Sequence, residues 1–194
     1  MRCLHSIFPS FVLPVLLMMV GTSLFAADLE LYEPHTYASA EGTLLYRLLK
    51  PADYSPDKKY PVVLFLHGAG ERGNDNQKQL IHVVGTFTED AVRTKYPCFV
   101  VVPQCPAGHL WCDTPWNVDT VVQPAKASKA LTQTMQLLDE LERQYSIDAG
   151  RRYVMGLSMG GFGTWDAITR YPGKFAAAVP MCGGGDTKKA SVLK

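Results

Sequence analysis

A serine hydroxyl is a poor nucleophile unless the chain holds it in the open, near a base, and facing donors for the charge that forms when it attacks a carbonyl. The segment Gly156-Leu157-Ser158-Met159-Gly160 sets one serine between two glycines. Arg152 to Leu157 before it reads as a buried strand, and Gly160 to Tyr171 after it as a helix ended by Pro172-Gly173. A turn this tight strains the serine backbone and leaves no room for neighbouring Cβ atoms, which accounts for the flanking glycines. The Oγ then stands clear of the sheet, and the helix N-terminus aims its free N–H groups at the reaction centre. Gly161 and Gly163 extend the small-residue surface where the helix must lie close to the sheet. A plain strand-to-helix turn needs no serine between glycines, so Ser158 is the candidate nucleophile for acyl transfer.

Such chemistry needs a second source of backbone donors. His67-Gly68-Ala69-Gly70 follows Val62 to Leu66, a five-residue apolar run of the kind covered on both sheet faces. The expected pair of donors to the developing oxyanion is Ala69 N–H with Met159 N–H. His67 could act as a base, but a histidine at a strand end before glycine more often shapes the loop through its ring hydrogen bonds. Glu71 and Arg72 either brace this loop as an ion pair or are solvated.

The remaining elements fit around these two turns. Thr43 to Lys50 has strand-forming content, and the turn-rich Pro51 to Pro61 suggests a hairpin or meander leading into a sheet. Cys98 to Val102 repeats the buried-strand pattern, and residues 80 to 95 hold one or two short helices broken near Gly85. Leu131, Met135, Leu138, Leu141 and Tyr145 recur at steps of three and four, predicting an amphipathic helix that lies on a sheet. Phe175 to Pro180 is a further apolar strand. Buried strands alternating with helices imply a mainly parallel sheet with helices on both faces.

With these segments in place the chain resembles the α/β-hydrolase superfamily, and more narrowly its exported esterases and predicted peptidases related to feruloyl esterases, polyhydroxybutyrate depolymerases and dienelactone hydrolases. The resemblance is carried by FLHGAGERGNDN (65 to 76), VVPQCP with a following Trp (101 to 111), YVMGLSMGGFGTWD (153 to 166) and AAAVPMCGGGD (176 to 186). It implies a carboxylic-ester hydrolase working through an acyl-Ser158 intermediate on a small ester or an ester-substituted polysaccharide, without cofactor or metal. A prolyl-oligopeptidase-like peptidase and a non-catalytic remnant or binding module are the alternatives.

In this superfamily an acid and then a histidine follow the serine. Here the histidines are 5, 35, 67, 82 and 109, and the only acids after Ser158 are Asp166 and Asp186. Asp166 is expected on the helix surface or as a cap, and Asp186 sits one strand too early. Residues 27–194 are therefore expected to form a partial, C-terminally truncated α/β-hydrolase domain lacking the last strands and helices, and weak or inactive alone.

Arg2, the apolar run Phe11 to Val20 and the small residues Ser23 to Ala27 read as a signal peptide over residues 1–26, with an uncleaved anchor as the alternative. That predicts a secreted or periplasmic protein with no stable membrane association after cleavage. Cleavage removes only Arg2 from the charge count and leaves 18 basic against 18 acidic residues, a balance that argues against nucleic acid as a partner. Oligomeric state is left open. Four cysteines follow the leader: Cys105 and Cys112 either pair or stay free, and Cys98 reads as a buried thiol. Cys105, His109 and Cys112 only superficially resemble a metal clip. Trp111 and Trp116, in one Pro-containing loop, either line a pocket or pack the loop, and Trp165 is expected in the core.

Overall fold

The computed structural model describes residues 27–193; the leader proposed for residues 1–26 lies outside the described residues. Six strands form one sheet: β1 Glu33–Ser39, β2 Gly42–Leu49, β3 Tyr60–Leu66, β4 Phe99–Gln104, β5 Ile147–Leu157 and β6 Ala177–Met181, in the spatial order β1-β2-β4-β3-β5-β6. β1, β2 and β4 pair antiparallel, while β4, β3, β5 and β6 run parallel. The chain is thus a mainly parallel α/β sheet with an antiparallel start.

The helices are α1 Asp90–Lys95, α2 Lys129–Gln144 and α3 Met159–Arg170. Strand periodicity sends Val62, Leu64 and Leu66 of β3 and Phe99 and Val101 of β4 to one face, into the core shared with α2 and α3. Burial rather than propensity pins α2 there: Leu131, Leu137, Leu138 and Leu141 are each almost wholly buried, at about 2 kcal/mol apiece. Ser128 caps it, its Oγ accepting from Leu131 N–H at 3.1 Å. The alternate residues Phe65, Val100 and Val102 face the other way, under the 3-10 turns Leu29–Leu31, Lys78–Leu80 and Val84–Thr88.

Several local expectations shift. The hairpin lies upstream of the predicted strand, as β1–β2 turning at Ala40-Glu41, and Pro51 to Pro61 is the loop into β3. β1 escapes the sequence because Glu-Pro-His-Thr-Tyr-Ala-Ser is a half-exposed strand at the end of the sheet that needs little apolar content. Gly85 sits inside a 3-10 turn and breaks no α-helix. β6 is half-exposed, with Val179 51% exposed, because only β5 pairs with it among the described strands. Trp165 is likewise half-buried, its ring packed over Gly185. Among the described residues no helix is long and apolar enough to cross a membrane.

Candidate active site

The parallel register decides which residues meet. Leu66 of β3 pairs with Gly156 of β5, and Leu157 pairs with Met181 of β6, so the three strands end side by side at their C-terminal edge. Ligands of open α/β sheets bind at this edge.

Ser158 occupies the one-residue corner between β5 and α3, with φ 54° and ψ −112°, and it is exposed. That conformation costs a non-glycine residue about 1–3 kcal/mol and persists only where its surroundings hold it. The Ser158 N–H donates to Met181 O at 2.8 Å, and its carbonyl accepts from Gly161 N–H at 2.8 Å. A Cβ at Gly156 would overlap the Gly160 carbonyl, and one at Gly160 would overlap the Leu66 carbonyl. The glycines therefore let α3 start directly on the backbone of β3. Met159, buried, opens α3, so its N–H has no partner within the helix.

Across from it, Ala69 opens a 3-10 turn, Ala69–Glu71, after the β3 end. His67 fixes this turn. The Cys105 N–H donates to His67 Nε2 at 2.9 Å, which leaves the ring proton on Nδ1 to be donated to Gly68 O at 2.6 Å. Gly68 C=O and Ala69 N–H belong to one trans peptide unit, so pinning the carbonyl also aims the N–H in the opposite direction. Burial pushes the His67 pKa down to about 4, against the smaller opposing effect of the Gly68 carbonyl. A neutral ring with both nitrogens engaged is a loop-shaping group and no base.

Trp111 covers the same ring edge-on, 5.2 Å between centroids, and its Nε1–H donates to His67 O at 3.0 Å. The two loop tryptophans therefore divide: Trp111 is buried and packs, while Trp116 is 47% exposed on the rim. Glu71 and Arg72 form no ion pair with each other. The chain turns extended at Arg72, whose Nε–H donates to Ala69 O at 2.9 Å, while the Glu71 carboxylate lies 3.9 Å from His67 Nδ1 and from His82 Nε2.

The two acids after Ser158 are engaged elsewhere. Asp166 is buried, contrary to the surface position expected, because the loop after β4 folds over α3; Arg170 pairs with it at 2.8 Å and the Gln123 amide donates to it. Asp186 caps the turn Thr187–Val192, and the Gln123 N–H, together with that of Lys188, holds its carboxyl below the usual carboxylate range. Among the described residues no imidazole or carboxylate hydrogen-bonds the Ser158 hydroxyl.

Cys98, Cys105, Cys112 and Cys182 are all free. Cys105 lies in the main core near Arg72, and Cys112 near Asp166 and Arg170, both buried and unpaired. Burial pushes both up to about 12. Cys98 is half-buried. His109 lies exposed with its ring on Ala107 O, and Cys105, His109 and Cys112 form no metal-holding group; among the described residues there is none.

Sequence reasoning missed Gln104, Asp75 and Asn76, which tie the Ala69 turn to the sheet. Gln104 lies inside the VVPQCP segment, and Asp75 and Asn76 end the FLHGAGERGNDN segment, but neither segment by itself signals that the two meet.

The chain is 30% identical over 133 residues to a bifunctional acetylxylan esterase/xylanase of Neocallimastix patriciarum, covering 69% of this chain and 17% of that protein. It is 26% identical over 180 residues to poly(3-hydroxyalkanoate) depolymerase C of Paucimonas lemoignei, covering 90% and 38%. The crystal structure of a thermostable esterase superposes with a TM-score of 0.74 at 40% identity, covering 84% of this chain and 44% of that one. The chain thus spans less than half the length of each of these relatives. The Esterase family profile matches residues 39–188, so both turns and the strands β2 to β6 lie inside the match, and the chain belongs to that family.

Proposed function

We propose that the protein is a serine esterase in which Ser158 Oγ attacks an ester carbonyl while Met159 N–H and Ala69 N–H take up the charge on the carbonyl oxygen. The C–O bond to the alcohol then breaks, the alcohol leaves with the proton that Ser158 gave up, and water releases the acid from acyl-Ser158. The observation that carries this reading is the strained, exposed backbone of Ser158 at the β5–α3 corner. A fold with no use for the hydroxyl there would relax the strain with glycine. The proton must go to a base that residues 27–193 do not bring to Ser158. We assign that base and its partner acid to the rest of the esterase domain, since the relatives run to more than twice the matched length.

The substrate we propose is a small ester or an ester-substituted polysaccharide. Support comes from the activities named for the relatives and from Trp116, which stands exposed between two open clefts. One, of about 450 Å³, includes Arg72, Asp113 and Asn117; the other, of about 350 Å³, includes Val121 and Phe162. Both clefts mix polar and apolar groups, as a site for an ester with a polar alcohol or sugar portion requires. The leader pattern of residues 1–26 supports a secreted or periplasmic location, with the body of the chain at 27–194.

The test is hydrolysis of p-nitrophenyl and feruloyl esters, and of a matched amide, by the full-length protein and by Ser158→Ala. Ester turnover should fall at least about a thousandfold in the variant, with the amide a poor substrate throughout. Unchanged turnover in Ser158→Ala would defeat the mechanism, and preferred cleavage of the amide would favour a peptidase. Wild-type protein that a fluorophosphonate leaves unlabelled would favour a binding module.

A further inference from the structure

Gln104 ends β4 with its side chain buried beneath the loop that follows β3, and all three of its hydrogen bonds go to that loop. Its Nε2 donates to Glu71 O at 3.2 Å and to Asp75 Oδ1 at 2.9 Å, and its Oε1 accepts from Asn76 N–H at 2.8 Å. The loop coils around this amide so closely that a Cβ on Gly73 would lie 3.2 Å from Nε2, and Gly73 N–H itself donates to Cys105 O at 3.1 Å. Glu71 is the last residue of the turn that Ala69 opens.

The strap continues outward. Asp75 Oδ1 also accepts from Gln77 N–H at 2.8 Å and Lys78 N–H at 3.0 Å. Asn76, held at φ 53°, donates through Nδ2 to Tyr46 O of β2 and His35 O of β1, and its own carbonyl accepts from Arg47 Nε–H at 2.6 Å. Burying the Gln104 amide costs desolvation that an apolar side chain would not, and what its bonds supply in return is a single fixed geometry.

We infer that Gln104 is a positioning residue for the oxyanion turn: it holds the C-terminal end of Ala69–Glu71 against β4 while His67 holds the N-terminal end, so that Ala69 N–H keeps its aim at Ser158. The inference rests on the acyl-Ser158 reading. Gln104 touches no substrate; its effect passes through Glu71 O and the loop backbone. A donor displaced by about 1 Å from the oxyanion loses most of its worth, while the binding of the substrate elsewhere is unaffected. The signature of such a residue is a loss in kcat at nearly constant KM.

The experiment compares two buried glutamines replaced by a side chain of similar shape. Gln104→Met removes all three loop bonds. Gln133→Met, in α2, removes bonds to Ser39 Oγ at 3.1 Å and Gly42 O at 2.9 Å, at the β1–β2 edge of the sheet, three strands away from the β5 strand that leads into Ser158. In the full-length protein Gln104→Met should lower kcat roughly 10- to 100-fold with KM within about twofold, and slow fluorophosphonate labelling of Ser158 in parallel. Amide hydrogen exchange at Gly73 and Asn76 should speed up while β3 and β5 stay protected. Gln133→Met should leave kcat and that exchange unchanged at a similar loss in thermal stability. If Gln104→Met fails to fold, Asp75→Ala, which removes one of the three bonds from an exposed residue, should lower kcat about 3- to 10-fold.

Equal kcat losses in the two methionine variants, or an unchanged kcat in a folded Gln104→Met or Asp75→Ala, would overturn the inference while leaving the nucleophile in place. Full turnover in Ser158→Ala is a different result: it removes the reading on which the inference stands.

Discussion

The two turns that face each other at the end of the sheet are held in different ways. The Ser158 corner is fixed by backbone packing: Gly156 and Gly160 let α3 press against β3 and β5, and the only long-range bond it needs is Ser158 N–H to Met181 O. The Ala69 turn is fixed by side-chain bonds: His67 and Arg72, which flank it in sequence, bond the carbonyls of Gly68 and Ala69, and Gln104 reaches in from β4 to the carbonyl of Glu71. A contact of backbone against backbone has no slack, whereas a set of side-chain bonds can be lost one at a time. The first turn should therefore fail all at once and the second in steps.

The largest effect is expected at Gly160→Ala. The added methyl would overlap the carbonyl of Leu66 and crowd that of His67, and Leu66, the last residue of β3, cannot move without breaking its pairing with Gly156 of β5. A loss on the order of 4 kcal/mol, at the top of the range for single substitutions, should be visible in urea unfolding. Stability within 1 kcal/mol of wild type would mean that the corner has slack after all, and the contrast between the turns would fail.

This division also explains what the sequence disclosed. Backbone packing demands particular residues at adjacent positions, so the Ser158 corner is legible from five letters, and the place of Ala69 follows from one strand ending before His67-Gly68. The side-chain supports were not legible, because Gln104 meets Glu71 and Asp75 across 33 and 29 residues and nothing local marks the pairing. The same holds for Asp166, whose burial depends on Gln123, 43 residues earlier, folding over α3. Trp111 and Trp116 could not be told apart from within one loop; only the arrival of the His67 carbonyl decides which of them packs. β1 was lost for a different reason, since a half-exposed strand at the sheet's end carries little of the hydrophobic pattern that betrays a central one.

An intermediate effect is expected at His67, and it depends on pH. Folding lowers the ring's pKa from 6.5 to about 4, so between those values the unfolded chain binds a proton that the folded chain refuses. Stability should fall as pH drops through this window, by about 3 kcal/mol at its lower end, and the ring should contribute no pH dependence above it. His67→Asn should cost about 1–3 kcal/mol at pH 7, where the Cys105 N–H loses its acceptor. It should also remove this part of the acid sensitivity. Urea unfolding of both proteins at pH 7 and pH 4.5 reads the difference directly: the gap between them should narrow at the lower pH. A constant gap would mean that the folded chain takes up the proton as readily as the unfolded one, and that burial does not hold the ring neutral below pH 6.5.

The smallest effect is expected at Arg72→Ala, and it tests how finely the second turn is divided. Arg72 bonds the Ala69 carbonyl, which belongs to the peptide after the one bearing Ala69 N–H, and the guanidinium is half-exposed, its remaining bond a 3.4 Å contact to His109 O. Its loss leaves the His67 and Gln104 bonds in place, so the proposed donor keeps its direction. Stability should change by no more than about 1 kcal/mol, as for a single partly solvated bond, and kcat by about threefold or less. A fall in kcat as deep as that of Gln104→Met would show that the turn moves as one rigid piece, and that it shares the all-or-none character of the Ser158 corner.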